Sequence, residues 1–128
     1  MANSQFDERV IQVDQHTWLV AEATGVISLA SYNHNFRVDT LVVANLDSIP
    51  HAFTVWLLQS GSPTTVLASG VLAAASGGVN TTEEVLSAHL PASKQALVLE
   101  AGSPVGIALA VAVTGDNLFT AVAIGGSI

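Results

Sequence analysis

Apolar and polar residues alternate along most of this chain, and the alternation has the two-residue period of β-strands. In the clearest run, residues 105–113, branched aliphatic residues alternate with glycine and alanine. After the turn-forming sequence Thr114-Gly115-Asp116-Asn117, the alternation resumes over residues 118–124. Two alternating runs joined by such a turn predict a β-hairpin. We therefore expect residues 105–124 to form two neighbouring strands of one sheet.

The same period predicts six further strands, at 17–21, 25–30, 37–45, 51–59, 64–74 and 96–100. Only residues 81–90 have a helical pattern, in which Thr81 and Glu84 have the spacing of a capping box and Pro91 ends the run. About eight short strands with at most one short helix indicate an all-β fold, an antiparallel β-sandwich of the jelly-roll or Ig-like kind. Residues 17–128 are predicted to form this single domain, and residues 1–16 an N-terminal arm or a first strand.

One side of the predicted hairpin carries almost only small residues. Glycine and alanine in strands suit a place where another backbone comes close, so this side predicts an interface between chains. A tolerated exposed face explains the same pattern equally well. Trp56 lies in a strand that is apolar on both sides and is expected in core or interface packing. The residues predicted at the interface are Ala108, Ala110, Ala112, Ala121, Ala123 and Trp56.

The composition strengthens the expectation of assembly. Charged residues make up 10% of the chain, against about 25% in typical domains, so few side chains are available to solvate its surface. The net charge is −7, and the cations are Arg9, Arg37 and Lys94. Nucleic-acid binding requires clustered cations, so no nucleic-acid partner is expected. The apolar runs are too short for a membrane helix and the N-terminus lacks a secretory signal, so we expect no membrane partner and synthesis in a cytoplasm.

Residues capable of catalysis are present but form no motif. The histidines, His16, His34, His51 and His89, have no zinc-ligand spacing, and the chain contains no cysteine. The sequence also has no nucleophile elbow and no glycine-rich phosphate loop. We therefore predict no catalytic residue, no metal and no cofactor, and a protein that is not an enzyme.

One loop stands out, because it places three polar residues between two aromatic ones. Tyr32, Asn33, His34, Asn35 and Phe36 are predicted to form an exposed loop that could recognise a ligand.

The order of segments resembles a known group of proteins. The chain runs from Leu41-Val42-Val43-Ala44-Asn45 through Phe53-Thr54-Val55-Trp56-Leu57-Leu58 and residues 66–74 to Leu97-Val98-Leu99-Glu100-Ala101-Gly102, and closes with a run rich in valine and alanine. This order, over residues 37–128, is similar to small β-sandwich structural proteins of tailed bacteriophages. Members of that group serve as capsid decoration or cement proteins, and similar sandwiches occur in head fibres and tail parts.

The resemblance implies a non-enzymatic virion protein on the capsid surface, assembled in the host cytoplasm. Its expected partners are itself, as a trimer or dimer, and the major capsid protein, whose shell it would stabilise. One alternative is a head-fibre or tail-associated component that contacts the host through residues 31–36. A remote alternative is a carbohydrate-binding module, which would need an aromatic platform.

Overall fold

A computed structural model describes residues 12–59, 62–75, 81–90, 97–114 and 118–127. Within these ranges the chain forms nine strands and one short helix, arranged as two antiparallel sheets packed face to face. The predicted all-β sandwich with at most one short helix is confirmed. The elements are β1 (Gln12–Trp18), β2 (Ile27–Leu29), β3 (Phe36–Asn45), β4 (His51–Gln59), β5 (Ser62–Leu72), β6 (Thr81–Glu84), α1 (Val85–His89), β7 (Leu97–Leu99), β8 (Val105–Leu109) and β9 (Phe119–Ser127).

The nine strands divide between a sheet of five and a sheet of four. The five-stranded sheet has the order β1-β9-β3-β6, with β7 also pairing with β3. The four-stranded sheet has the order β2-β8-β4-β5. The strand pairs within both sheets are antiparallel, and an isolated parallel bridge joins Val20 to Val113.

The core lies between the two sheets and is filled by alternate residues of the long strands. In β3 and β4 the buried residues recur at every second position over much of the strand, as the sequence pattern predicts. Burying one such aliphatic or aromatic side chain contributes about 1.5–3 kcal/mol. The largest fully buried apolar side chains are Trp18, Phe36, Phe53, Phe119, Leu29, Leu41, Leu58, Leu86 and Ile107.

The hairpin predicted over residues 105–124 is wrong. β8 pairs with β2 and β4 in the four-stranded sheet, whereas β9 pairs with β1 and β3 in the other sheet. β8 also ends at Leu109 rather than at Val113. Two strands that face each other across a core show the same alternation as two strands side by side, so the pattern could not separate these arrangements. The predicted turn at residues 115–117 lies outside the described residues.

The helix is short, as predicted, but begins later than the capping-box spacing of Thr81 and Glu84 indicates. Thr81–Glu84 is strand β6, which pairs with β3, and the helix covers only Val85–His89. Glu84, not Thr81, caps it, because the Glu84 carboxylate accepts hydrogen bonds from the amides of Leu86 at 3.1 Å and Ser87 at 2.7 Å. The β-branched side chains of Thr81 and Thr82 favour the extended backbone.

Residues 12–16, the end of the predicted N-terminal arm or first strand, lie in β1. Residues 1–11 lie outside the described residues. The division of the chain at residue 16 therefore stays a prediction.

Candidate assembly surface

The outward side of the four-stranded sheet brings together residues from three strands. Thr54 in the middle of β4 lies between Ala108 of β8 and Ser69 of β5 in the strand register. Trp56 lies opposite Val66 of β5, and the backbone amide of Ala110 donates to the carbonyl of Ala52 at 3.0 Å. We call this surface the β4 outer face and define it by Ala52, Thr54, Trp56, Val66, Ser69, Val71 and Ala108.

The β4 outer face is apolar and carries no charge. Val66 is 51% exposed and Val71 is 65% exposed, although both are branched aliphatic residues. Trp56 and Ala108 are half-buried. Contiguous apolar surface on a soluble chain often marks an interaction site, so the β4 outer face is the candidate surface of the described chain.

Part of the small-residue pattern is explained within the chain. A Cβ atom on Gly106 would lie 2.5 Å from the Val26 Cγ1 atom and 2.9 Å from the Leu58 Cδ2 atom. Side chains of the same chain therefore already fill the space above Gly106. The more exposed part of this side of the sheet lies further along, towards β5.

The structure divides the predicted interface residues into two groups. Trp56 and Ala108 lie on the β4 outer face, and Ala110 is exposed at its end, just after β8. Ala112, two residues further on, is half-buried. Their role in an interface stays a prediction.

For Ala121 and Ala123 the interface prediction is wrong. They are 0% and 1% exposed in the core, because the small residues of β9 face the interior, where large aromatic rings leave little room. A neighbouring position shows the same crowding, since a Cβ on Gly125 would lie 1.7 Å from the carbonyl oxygen of Arg37. At Gly125, the close backbone is thus that of β3 in the same chain.

The predicted recognition loop is partly built into the fold. Phe36 is 2% exposed and belongs to the core, so its placement at an exposed tip is wrong. The Tyr32 ring packs 4.5 Å from that of Phe36 and stacks 5.2 Å from that of His34, between ring centres. The Asn35 Oδ1 atom accepts a hydrogen bond from the Ala101 amide at 3.1 Å. Asn33 and Asn35 are the exposed members of the loop, and recognition through it stays a prediction.

A shallow cavity of about 180 Å³ lies between the end of β4 and β7. It is smaller than typical small-molecule sites, which are about 300–1,000 Å³. Its lining residues are Leu57, Gln59, Val98, Leu99, Glu100 and Ser103.

A group of polar side chains is completely buried where β3 ends and β4 begins. Asn45, Asp47 and His51 are each 0% exposed. The Asp47 carboxylate accepts hydrogen bonds from His51 Nε2 at 2.7 Å, from Thr114 Oγ1 at 2.7 Å and from the Thr114 amide at 2.9 Å. We call Asn45, Asp47 and His51, together with the exposed Thr114 that bonds to Asp47, the buried polar cluster. The sequence analysis does not predict it, because Asn45 ends the predicted strand 37–45 and Asp47 lies between that strand and the predicted strand 51–59, where such residues are common in turns.

The hydrogen bonds of the cluster keep Asp47 ionised. Burial alone would raise the pKa of Asp47, but the hydrogen bonds from His51, Thr114 and the Ser48 amide outweigh burial and hold that pKa well below its usual range. Asn45 adds hydrogen bonds from its Nδ2 atom to the carbonyls of Ile49 at 2.9 Å and Ala73 at 3.0 Å. The cluster therefore ties together segments from three parts of the chain.

The cluster has the residue types of a hydrolase triad but not its geometry. In a triad the nucleophile bonds to the histidine, whereas Thr114 Oγ1 bonds to Asp47. Because Asp47 and His51 are fully buried, a substrate has no access to them. The arrangement supports a structural role.

Two further histidine–carboxylate pairs lie nearer the surface, His16 with Glu22 and His89 with Glu83. Across the described ranges, no three histidine or acidic side chains come together in a way that could hold a metal ion. The same ranges contain no helix of the length and apolar character needed to cross a membrane.

Comparisons with known proteins give no family. No family model and no curated protein matches the sequence. A cryo-EM structure of the virus-like particle of extra small virus from the giant freshwater prawn Macrobrachium rosenbergii is similar with a TM-score of 0.40 and 12% identity, over 92% of this chain and 80% of that one.

Two structures of infectious bursal disease virus are also similar. The Gx strain has a TM-score of 0.42 and 10% identity, over 92% of this chain and 32% of that one. The VP2 subviral particle has a TM-score of 0.40 and 10% identity, over 94% of this chain and 34% of that one. Likeness at these levels carries no argument about function.

Proposed function

We propose that this chain is a structural component of a virus particle that acts by binding rather than catalysis. Its specific role is that of a capsid decoration or cement protein, which self-associates and stabilises the shell by binding major capsid subunits. The observation that carries this proposal is the β4 outer face, a mostly apolar and uncharged sheet surface that the described residues leave exposed in a chain of net charge −7.

The charge distribution explains why this face suits assembly. Acidic copies repel one another, and that repulsion helps to keep free protein soluble. Repulsion between copies is weakest where neither surface carries a charge, and the β4 outer face meets this condition. Trp56, half-buried in the middle of the face, is the type of residue that contributes most to interface binding energy.

Weak binding at each site is sufficient for such a role. A closed shell repeats the same site many times, and linked copies bind with a strength that exceeds that of one site. Stabilisation of the shell thus accumulates over all copies. The virion surface is the proposed location, reached after assembly in the host cytoplasm.

The proposal is tested by Thr54→Arg, which places a charge at the centre of the β4 outer face. Because the arginine would have to lose its hydration without a partner, binding to particles stripped of this protein should weaken by about tenfold or more, equivalent to about 1.4 kcal/mol. The wild type should rebind in hundreds of copies and raise the temperature at which shells break. Bound copies are counted by quantitative gel or mass spectrometry.

The matched control is Gln15→Arg, an exposed position in β1 of the other sheet, which should bind normally. If Thr54→Arg and the wild type are both folded and bind the stripped particles equally well, the β4 outer face is not the surface that binds the shell.

A second candidate, a head-fibre or tail component, is favoured by one observation. Asn33 and Asn35 are exposed in a loop whose backbone is held by the hydrogen bond from Gly102 to the Tyr32 carbonyl at 3.0 Å. A dozen or fewer copies per particle, together with host binding that depends on Asn33, would support that location instead of the capsid surface.

A further inference from the structure

We propose that the free edge of β5 pairs antiparallel with the same edge of a second copy of this chain. The two four-stranded sheets would then join into one sheet of eight strands, with two copies of the β4 outer face side by side. This inference rests on the self-association in the proposed function and names the surface that performs it.

β5 is the last strand of its sheet and an unusually open one. It is eleven residues long, and β4 is its neighbour on one side. On its other side, the described part of the chain places no strand. An edge strand presents unpaired N–H and C=O groups that can pair with another chain, and natural proteins protect such edges with charge, shortness, proline or bulges. In β5, Pro63 and the register shifts lie in the first half of the strand. β5 contains no charged residue.

The other edge strands are protected in these ways. β2 and β7 are three residues long, and β6 is four residues long with Glu83 and Glu84 among them. β1 carries Asp14, whose carboxylate accepts a hydrogen bond from the Ala30 amide at 2.8 Å. β5 is therefore the exception among the described edges, both in length and in charge.

The second half of β5 is the part suited to pairing. Residues 68–72 pair with His51–Val55 of β4 in an unbroken register. The register shifts lie further along, between Val55 and Trp56 and between Leu57 and Leu58. Such irregularities twist an edge away from partners, and they leave residues 68–72 regular. Val71, within this regular part, is 65% exposed.

The charge of the chain favours a second copy as the occupant. Like charges placed opposite each other in a sheet are destabilising, and ten acidic residues against three basic ones make such encounters frequent elsewhere on the surface. Two β5 strands bring no charged residue of their own together, and His89, whose Nε2 atom lies beside Gly70, is paired with Glu83 within the chain. A two-fold axis also places the same edge on both sides, so that one contact covers both edges and leaves none open to further addition.

Cysteine cross-linking tests the pairing directly, because the chain contains no cysteine of its own. Residues opposite each other in antiparallel strands have Cα atoms about 4.5–5.5 Å apart, within the range of about 4.4–6.8 Å that a disulfide allows. Under mild oxidation we expect covalent dimers from Ser69→Cys, from Val71→Cys or from an equimolar mixture of the two. Val98→Cys, on an equally exposed residue of β7, is the matched control and should stay monomeric on a denaturing gel.

Two cysteines with poor geometry would fail to cross-link even in a true dimer, so a second measurement tests the pairing without a disulfide. Val71→Lys should lower the mass in sedimentation equilibrium from a dimer or a multiple of it to a monomer, whereas Val98→Lys should not. A wild-type protein that is monomeric at 100 µM, or a mass unchanged by Val71→Lys, overturns the inference.

The two proposals fail separately. Normal shell binding by a monomer would leave the proposed function standing and remove the β5 pairing. Specific β5 cross-links in a protein that binds no shell would support the β5 pairing and contradict the proposed function.

Discussion

Two regions of this molecule reverse the usual placement of polar and apolar residues. The buried polar cluster places Asp47 and His51 inside, where charged groups are rare. The β4 outer face places Val66 and Val71 outside, in a chain that already has few solvating residues. The cluster is hydrogen-bonded within the chain, whereas the exposed valines have no such cover from the described residues.

This difference indicates which of the two regions depends on a partner molecule for its stabilisation. Asp47 accepts bonds from His51, Thr114 and Ser48, so the cost of burying its charge is offset inside the fold. The exposed valines contribute a favourable free energy of burial only when a second surface excludes water from them. We therefore assign the cluster to stability and the outer face to assembly. Each prediction below tests that division.

The largest expected effect is the loss of stability in Asp47→Ala. This change leaves the buried His51 Nε2 atom and the hydroxyl and amide of Thr114 without their shared acceptor, and each buried polar group left unsatisfied costs about 1–3 kcal/mol. Urea unfolding should show a free energy of unfolding lower by at least that amount, a large part of the roughly 5–15 kcal/mol typical of a domain.

The control is Asp39→Ala, which removes an exposed ion pair with Arg37 and should leave the unfolding curve almost unchanged. If Asp47→Ala unfolds at the same urea concentration as the wild type, the cluster is not what holds this end of the sandwich together.

A smaller effect is expected from acid. The pKa of Asp47 is lower in the folded chain than in the unfolded chain, so its contribution to stability is present above the unfolded value, near 4, and is lost as the pH falls below it. The free energy of unfolding should therefore drop between pH 5 and pH 2. Glu84 adds to the same trend, because hydrogen bonds from the Leu41, Ser87 and Leu86 amides outweigh burial and lower its pKa.

The comparison variant is Asp47→Asn, which cannot lose a charge in acid. Its free energy of unfolding should change less with pH than that of the wild type. A wild-type stability that is flat or rising towards pH 2 would contradict the account of the cluster.

Much of the fold could be predicted from the sequence, since period-2 alternation identifies strands wherever one face is buried. The alternation does not say which face is inside. In β8 the branched residues Val105 and Ile107 are buried and Ala108 lies outside. In β9 Ala121 is buried, while Val122 lies half-exposed on the outer side. The interface prediction treats the two runs as equivalent, although the alanines face outward in β8 and inward in β9.

The buried polar cluster could not be predicted from local pattern. Asp47 obtains two of its hydrogen bonds from Thr114, which lies 67 positions away in the sequence. Asn45 and Asp47 are also common turn residues, so a turn explained them without a partner. Only the topology that brings the end of β3 beside residue 114 reveals their role.

The central claim is that the β4 outer face becomes buried on a virus particle, and thiol labelling measures this directly. Single cysteines are introduced as Thr54→Cys and, on the other sheet, as Gln15→Cys, and their alkylation rates are compared in free protein and in protein bound to purified shells. The account predicts a rate that falls at least about tenfold on binding for position 54 and stays nearly constant for position 15. Equal labelling of position 54 in the free and bound states would contradict it.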